Sequence, residues 1–134
     1  MKRFLIVACL LSLMLGISSC TKRVYGIVFN NSGTDIVIVA GNENYNLKSA
    51  ESVKIVFPAM MNVLKINKNN RELKYVAKYP SDDYVEHKPF EDIYLLQIEN
   101  DGSIYAIKPK TPMPTGIPSV QPNLFPLNPI PNNP

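Results

Sequence analysis

The sequence predicts an all-β fold: a small antiparallel β-sandwich, Ig-like in outline, with about seven or eight strands. Between residues 23 and 108, short segments rich in β-branched and aromatic residues recur at intervals of about eight to twelve residues. Turn-forming Asn, Asp, Gly and Pro residues separate these segments. No segment after the first 20 residues has the period of an amphipathic helix. A small open β-barrel is the alternative fold.

The individual strands follow from apolar patterning and from the turn residues between them. The predicted strands cover residues 24–29, 35–40, 45–47, 52–57, 62–67, 71–79, 93–98 and 103–107. The strand at 35–40 is apolar on both faces, which indicates a central position in its sheet. Asp101-Gly102 lies between the last two strands and predicts a β-hairpin. Residues 80–89 are bounded by prolines and predict a polar loop.

The first 20 residues differ in character from the rest of the chain. Lys2 and Arg3 precede residues 4–17, a run without any charged residue. A membrane-spanning helix needs roughly 20 apolar residues, so this run better fits the helical h-region of a secretory signal. Small residues follow it and lead directly into Cys20. The segment Ile17-Ser18-Ser19-Cys20 resembles the lipobox of bacterial lipoproteins.

This resemblance covers only the N-terminal 20 residues. It implies that residues 1–19 are a signal peptide, that Ile17, Ser18 and Ser19 are recognised by signal peptidase II, and that Cys20 carries palmitate-type acyl chains. Thr21 stands where an Asp would favour retention at the inner membrane, so the resemblance implies the outer membrane and a periplasm-facing domain. The inner membrane is the alternative location. An ordinary secretory signal cut near Ser19 is the alternative processing.

Three segments are expected after cleavage: a tether at residues 20–22, the β-domain at 23–108 and a tail at 109–134. The tail holds nine of the 12 prolines, which disfavours both helix and sheet and predicts a disordered segment with polyproline II character. Apolar residues such as Leu124 and Phe125 lie among the prolines. They favour docking in a groove of a partner or a neighbouring copy. A solvated extension without a partner is the alternative.

Composition narrows the classes of function. The formal charge of +3 includes Lys2 and Arg3, so the mature chain is close to neutral and we expect no nucleic-acid partner. Cys9 lies in the predicted signal and Cys20 at the lipidation site, which leaves no cysteine for a disulfide or a metal. His87 is the only histidine, so we expect no metal, no cofactor and no histidine-assisted nucleophile.

The remaining polar candidates lie in one acidic loop. Asp82, Asp83, Tyr84 and Glu86 form a possible binding patch, although solvated loop charge explains the same residues. The sequence therefore predicts a non-enzymatic envelope lipoprotein, held at the membrane by its lipid, whose tail contacts another envelope protein or the cell wall. One alternative is a small enzyme or inhibitor acting on wall polymers. Another is a lipoprotein subunit of a secretion, conjugation or lysis apparatus.

Overall fold

Short strands joined by turns and loops make up most of this protein. The computed structural model describes residues 21–131, and within them the chain forms nine strands and a short 3-10 turn at Asp82–Tyr84. The strands are β1 (Arg23–Asn30), β2 (Ile36–Ala40), β3 (Glu43–Leu47), β4 (Ser52–Val56), β5 (Val63–Lys68), β6 (Arg71–Val76), β7 (Val85–His87), β8 (Glu91–Ile98) and β9 (Ile104–Ile107).

These strands form two sheets that face each other. The first sheet has the order β4-β1-β8-β7, and β9 pairs with β8 beside β7. Strand β7 pairs with the first half of β8, and β9 pairs with the second half of the same edge, from Leu95 to Ile98. The second sheet has the order β3-β2-β5-β6 and is antiparallel throughout. Because no described strand pairs between the sheets, the predicted sandwich is confirmed and the open-barrel alternative is wrong.

Two details of the strand prediction are wrong. Strands β1 and β8 run parallel, with Arg23 opposite Glu91 and Asn30 opposite Ile98. Six strands separate them along the chain, so no hairpin imposes the antiparallel direction. The second error is β7, which lies inside the predicted polar loop. Only Val85 of its three residues is buried, so its sequence carries no alternating pattern to reveal it.

The core fills the space between the sheets. Its largest fully buried side chains come from β1, β2, β4, β5, β6, β8 and β9, and include Ile38, Ile55, Leu64, Ile66, Tyr75, Leu96 and Ile104. Strand β2 lies between β3 and β5, so the predicted central position of residues 35–40 is confirmed. Full burial of each such aliphatic side chain is worth about 1.5–3 kcal/mol. The core therefore supplies the main stabilisation of a domain without disulfides.

An aromatic cluster closes one end of the sandwich, which we call the N-terminal end because β1 begins there at Arg23. Phe57 follows β4, and its ring lies 6.0 Å from that of Tyr79 and 5.6 Å from that of Tyr94. Tyr79 and Tyr94 are 5.5 Å apart. Rings at these separations add specific pairing energy to the area that they bury. The cluster fixes the loops of this end against the core.

A buried asparagine organises the opposite end. Asn30 is fully buried, and its Nδ2 donates to the carbonyl oxygens of Thr34 and Leu47 at 2.8 and 3.2 Å. Its Oδ1 accepts hydrogen bonds from the Ser32 backbone N–H and hydroxyl. The predicted hairpin between β8 and β9 also lies here and is confirmed, with Gly102 at φ 88°, a conformation that favours glycine.

The tail folds back onto the domain, so the prediction of a disordered extension is wrong for residues 109–131. Phe125 and Leu127 are buried with the core residues. Leu127 and Ile104 exchange two backbone hydrogen bonds of 2.9 Å, and the Ile130 N–H donates to the Lys74 carbonyl at 2.7 Å. The prolines prevent a regular strand, but the residues between them keep their N–H groups and gain from apolar burial. The tail thereby contacts an edge of each sheet.

Candidate functional site

The predicted acidic loop does not form a convergent site. Asp82 and Asp83 lie exposed on the 3-10 turn, and Glu86 lies exposed on β7. Glu86 is 3.8 Å from the Lys88 ammonium, a surface distance that contributes little. Within residues 21–131, no three His, Cys, Asp or Glu side chains are placed to hold a metal ion. These carboxylates therefore have the geometry of solvated loop charge.

Tyr84, the fourth predicted residue of that loop, contacts the tail instead. It is buried, and its hydroxyl donates to the Val120 carbonyl at 3.3 Å. The Lys108 ammonium lies 5.6 Å from the centre of its ring, within the range of a cation–π contact. Tyr84 thus joins the loop before β7 to Lys108, the last residue of the β-domain, and to the middle of the tail.

An open cleft of about 420 Å³ lies between Tyr84 and the tail. Its polar lining includes Lys108, Thr111, Thr115 and Ser119, and Val120 adds an apolar wall. One ammonium group and several hydroxyl groups can bind a polar ligand. The described lining contains no carboxylate and no imidazole.

Two glutamine side chains attach the tail to the first sheet. Gln97 of β8 is fully buried; its Oε1 accepts from the Thr115 N–H at 3.0 Å, and its Nε2 donates to the Thr115 carbonyl at 2.8 Å. Gln121 of the tail bonds the N–H and carbonyl of Ala106 in the same way, at 2.9 and 3.0 Å. Each side-chain amide thus bonds both backbone groups of one residue, as the backbone of a neighbouring strand would. Neither glutamine was among the predicted site residues.

The two predicted apolar tail residues have opposite environments. Phe125 is buried, whereas its neighbour Leu124 is exposed with φ 73°. The positive φ turns the two side chains to different sides of the segment. Other exposed apolar side chains of the tail are Ile117, Val120 and Ile130. The tail therefore uses one set of side chains for its own attachment and presents another set to the surroundings.

Ion pairs hold the tether against the start of β8. Lys22 lies 3.1 Å from Asp92, and His87 Nδ1 lies 2.7 Å from the same carboxylate. The hydrogen bond with His87 and the Lys22 ammonium keep the pKa of Asp92 below its usual range. The Lys54 ammonium, 2.8 Å from Glu91, likewise keeps the pKa of Glu91 low. Both carboxylates are therefore ionised partners of nearby cations at neutral pH.

The predicted lipidation site and its recognition positions, Cys20 and Ile17, Ser18 and Ser19, lie outside the described residues. In the part of the chain that is described, no helix has the length and apolar character needed to cross a bilayer. Comparisons of the chain with protein-family models, with curated proteins and with solved structures found no match.

Proposed function

We propose that the protein is a bacterial envelope lipoprotein, anchored in the outer membrane through acyl chains on Cys20, whose β-sandwich is a non-enzymatic binding module facing the periplasm. The observation that carries the proposal is the lipobox-like segment Ile17–Cys20, placed immediately before the domain. Only Thr21 and Lys22 separate Cys20 from β1. A single acyl chain binds a membrane only marginally, whereas two or more give stable anchoring.

The binding role is supported by the outward side of the tail. Ile117 and Val120 are 60% and 72% exposed, although the backbone around them is hydrogen-bonded to the domain. Large apolar side chains held exposed on a fixed support are typical of interaction surfaces. The proposed partner is another envelope protein or the cell wall, contacted by this side of the tail.

The anchor is tested by metabolic labelling with palmitate and by mass spectrometry of the purified protein. The wild-type chain is expected to begin at residue 20 and to carry acyl chains on that residue. The Cys20→Ala variant is expected to take up no label. Cys9→Ala is the matched control, because it removes the other cysteine of the chain and is expected to leave labelling unchanged.

Two results would contradict the proposal. One is a mature chain with an unmodified thiol at position 20, which indicates an ordinary secreted protein. The other is a chain that still begins at Met1 and is equally labelled in the wild type and in Cys20→Ala.

A further inference from the structure

The N-terminal end of the sandwich carries exposed apolar side chains on two neighbouring loops. Phe90 is 70% exposed, Met61 63% and Met60 50%. Both loops lie where β1 begins, because the Phe90 carbonyl accepts a hydrogen bond from the Arg23 N–H at 3.1 Å and the Phe57 N–H donates to the Val24 carbonyl at 3.0 Å. The chain that leads back to Cys20 leaves the domain at this same end.

These loops are held by the core, so their exposed tips have a fixed base. Phe57, three residues before Met60, packs into the aromatic cluster with Tyr79 and Tyr94. The Met61 N–H donates to the Ala77 carbonyl at 2.9 Å. A fixed group of large apolar side chains on the surface favours contact with another apolar phase.

Two cations lie near the apolar tips. The Lys78 ammonium lies 2.9 Å from the Met61 sulfur, and Arg23 begins β1 beside Phe90. Among residues 21–131, neither Lys78 nor Arg23 has a carboxylate within ion-pair distance. The two carboxylates at the start of β8, Glu91 and Asp92, are each paired with a lysine. Apolar tips flanked by two unpaired cations match the interface of an anionic bilayer.

We propose that the N-terminal end docks on a lipid bilayer, with Phe90, Met60 and Met61 inserted at the level of the headgroups and upper acyl chains, and with Arg23 and Lys78 at the lipid phosphates. The inference rests on the proposed anchor at Cys20, which is joined to Thr21 by one peptide bond. An anchor at that position brings the N-terminal end, and not the opposite end, to the membrane surface. The lipid is therefore the occupant that the position of the tether favours.

The absence of tryptophan from the sequence allows a direct test. Phe90→Trp, Met60→Trp, Ile117→Trp and Lys48→Trp would each be prepared as the full acylated protein and reconstituted in vesicles of phosphatidylethanolamine and phosphatidylglycerol. A fraction of the lipids would carry bromine on the upper acyl chain, which quenches nearby indole fluorescence. At an insertion depth of about 5–10 Å, Phe90→Trp and Met60→Trp are expected to lose about half of their emission.

The other two variants are the controls. Lys48 is exposed at the opposite end of the sandwich, and Ile117 is an exposed apolar residue of the tail, so the second control accounts for the affinity of indole itself for membranes. Both are expected to lose less than about a tenth of their emission, because they stay outside the interfacial depth. In the Met60→Trp protein, adding Phe90→Ser is expected to reduce the quenching, whereas adding Ile117→Ser is not.

Equal quenching at Phe90→Trp and Lys48→Trp would overturn the inference. Protection of Phe90→Trp from aqueous iodide without quenching by bromine would also overturn it, since a protein or a second copy would then occupy this end. The mass spectrum of the same sample reports acylation at position 20. An acylated but unquenched protein contradicts the docking alone, whereas a missing acyl group contradicts the proposed function and, with it, the docking.

Discussion

At the residue scale, Gln97 is a buried polar side chain whose role is attachment of the tail. Its amide pairs both backbone groups of Thr115, and its loss would leave those groups without partners. A buried hydrogen-bonding group left unsatisfied costs about 1–3 kcal/mol. We predict that Gln97→Ala lowers the free energy of unfolding by about 2–3 kcal/mol in urea denaturation.

Gln121→Ala is the matched control for that change. Gln121 makes the same pair of bonds to Ala106 from a half-buried position, so water can replace part of what is lost. A smaller loss of stability is expected. If Gln97→Ala were as stable as the wild-type protein, the assignment of Gln97 as an attachment residue would be wrong.

Two buried tyrosines predict a loss of stability in alkali. Burial raises the pKa of Tyr94 to about 12, and it raises the pKa of Tyr75, whose hydroxyl donates to the Gly102 carbonyl at 2.7 Å. The unfolded chain releases these protons near pH 10, whereas the folded chain retains them. The stabilisation from these tyrosines is therefore fully present below pH 10, and the free energy of unfolding falls as the pH rises from 10 through 12.

The Tyr94→Phe variant tests this pH dependence. It removes the titrating hydroxyl and keeps the ring that packs against Phe57. Its unfolding free energy, measured by urea denaturation from pH 9 to 12, should fall less steeply than that of the wild type. An unchanged slope in Tyr94→Phe would contradict the prediction.

At the scale of elements, the tail protects the edge of β9. Leu127 and Gln121 together bond the N–H and carbonyl groups of Ile104 and Ala106 on the side away from β8. Unpaired edge strands tend to pair with other chains. The tail thus adds stability through burial and also removes a site of aggregation.

Adjacent tail residues allow this attachment to be tested. Phe125→Ala removes a ring buried with the core and should lower the free energy of unfolding by about 3–5 kcal/mol. Leu124→Ala changes an exposed side chain and should stay within about 0.5 kcal/mol of the wild type. Urea denaturation gives both values, and light scattering reports association through the freed edge. Similar effects of the two changes would mean that the tail is not attached in this way.

The two-sheet fold could be predicted because its strands carry local signals. Residues 35–40 are apolar on both faces, and Asp101-Gly102 marks a hairpin, so composition alone identified a central strand and a tight turn. Strand β7 and the parallel pairing of β1 with β8 have no such signal. The partner of β1 is distant in sequence, and local patterns do not specify it. Strand β7 pairs with the adjacent β8, but its three residues include only one buried side chain and are too few to show alternation.

The sequence of β8 contains one indication that another segment covers its outer face. Leu96 and Ile98 lie in the core, so Gln97 between them faces the other side of the sheet, yet it is fully buried. Residues 93–98 are apolar on both faces in the sequence, which indicates cover on both sides. The many prolines of the tail nevertheless favoured a disordered segment, because composition does not report pairing at isolated residues.

The candidate site residues were predicted less well than the fold. Charge density in one loop suggested Asp82, Asp83 and Glu86, but the described geometry does not bring these carboxylates together. Tyr84 was predicted as part of a binding patch, and that stays a prediction; in the structure its hydroxyl contacts this chain's own tail. A binding surface depends on which side chains remain exposed after the chain has packed, and local sequence patterns do not predict that exposure.

At the scale of the whole molecule, the proposed anchor and the proposed partner-binding surface belong to different parts of the chain. The tether leaves at the N-terminal end, whereas Ile117, Val120 and Leu124 lie along the tail beside β8 and β9. Deleting residues 112–134 would remove Phe125 and Leu127 from the core as well as the outward side chains. A deletion therefore cannot separate the loss of a partner from the loss of the fold.

Substitution of the outward side chains separates these effects. The triple change of Ile117, Val120 and Leu124 to Ser should leave the unfolding free energy within about 1–1.5 kcal/mol of the wild type, because surface changes each contribute about 0.5 kcal/mol or less. Palmitate labelling should be unchanged, and the proteins crosslinked to the wild type in intact envelopes should be lost. Val56→Ser with Val63→Ser is the matched control, since both valines are exposed apolar residues outside the tail. If the triple variant kept its crosslinked neighbours while the valine control lost them, partner binding would belong to the valine surface and not to the tail.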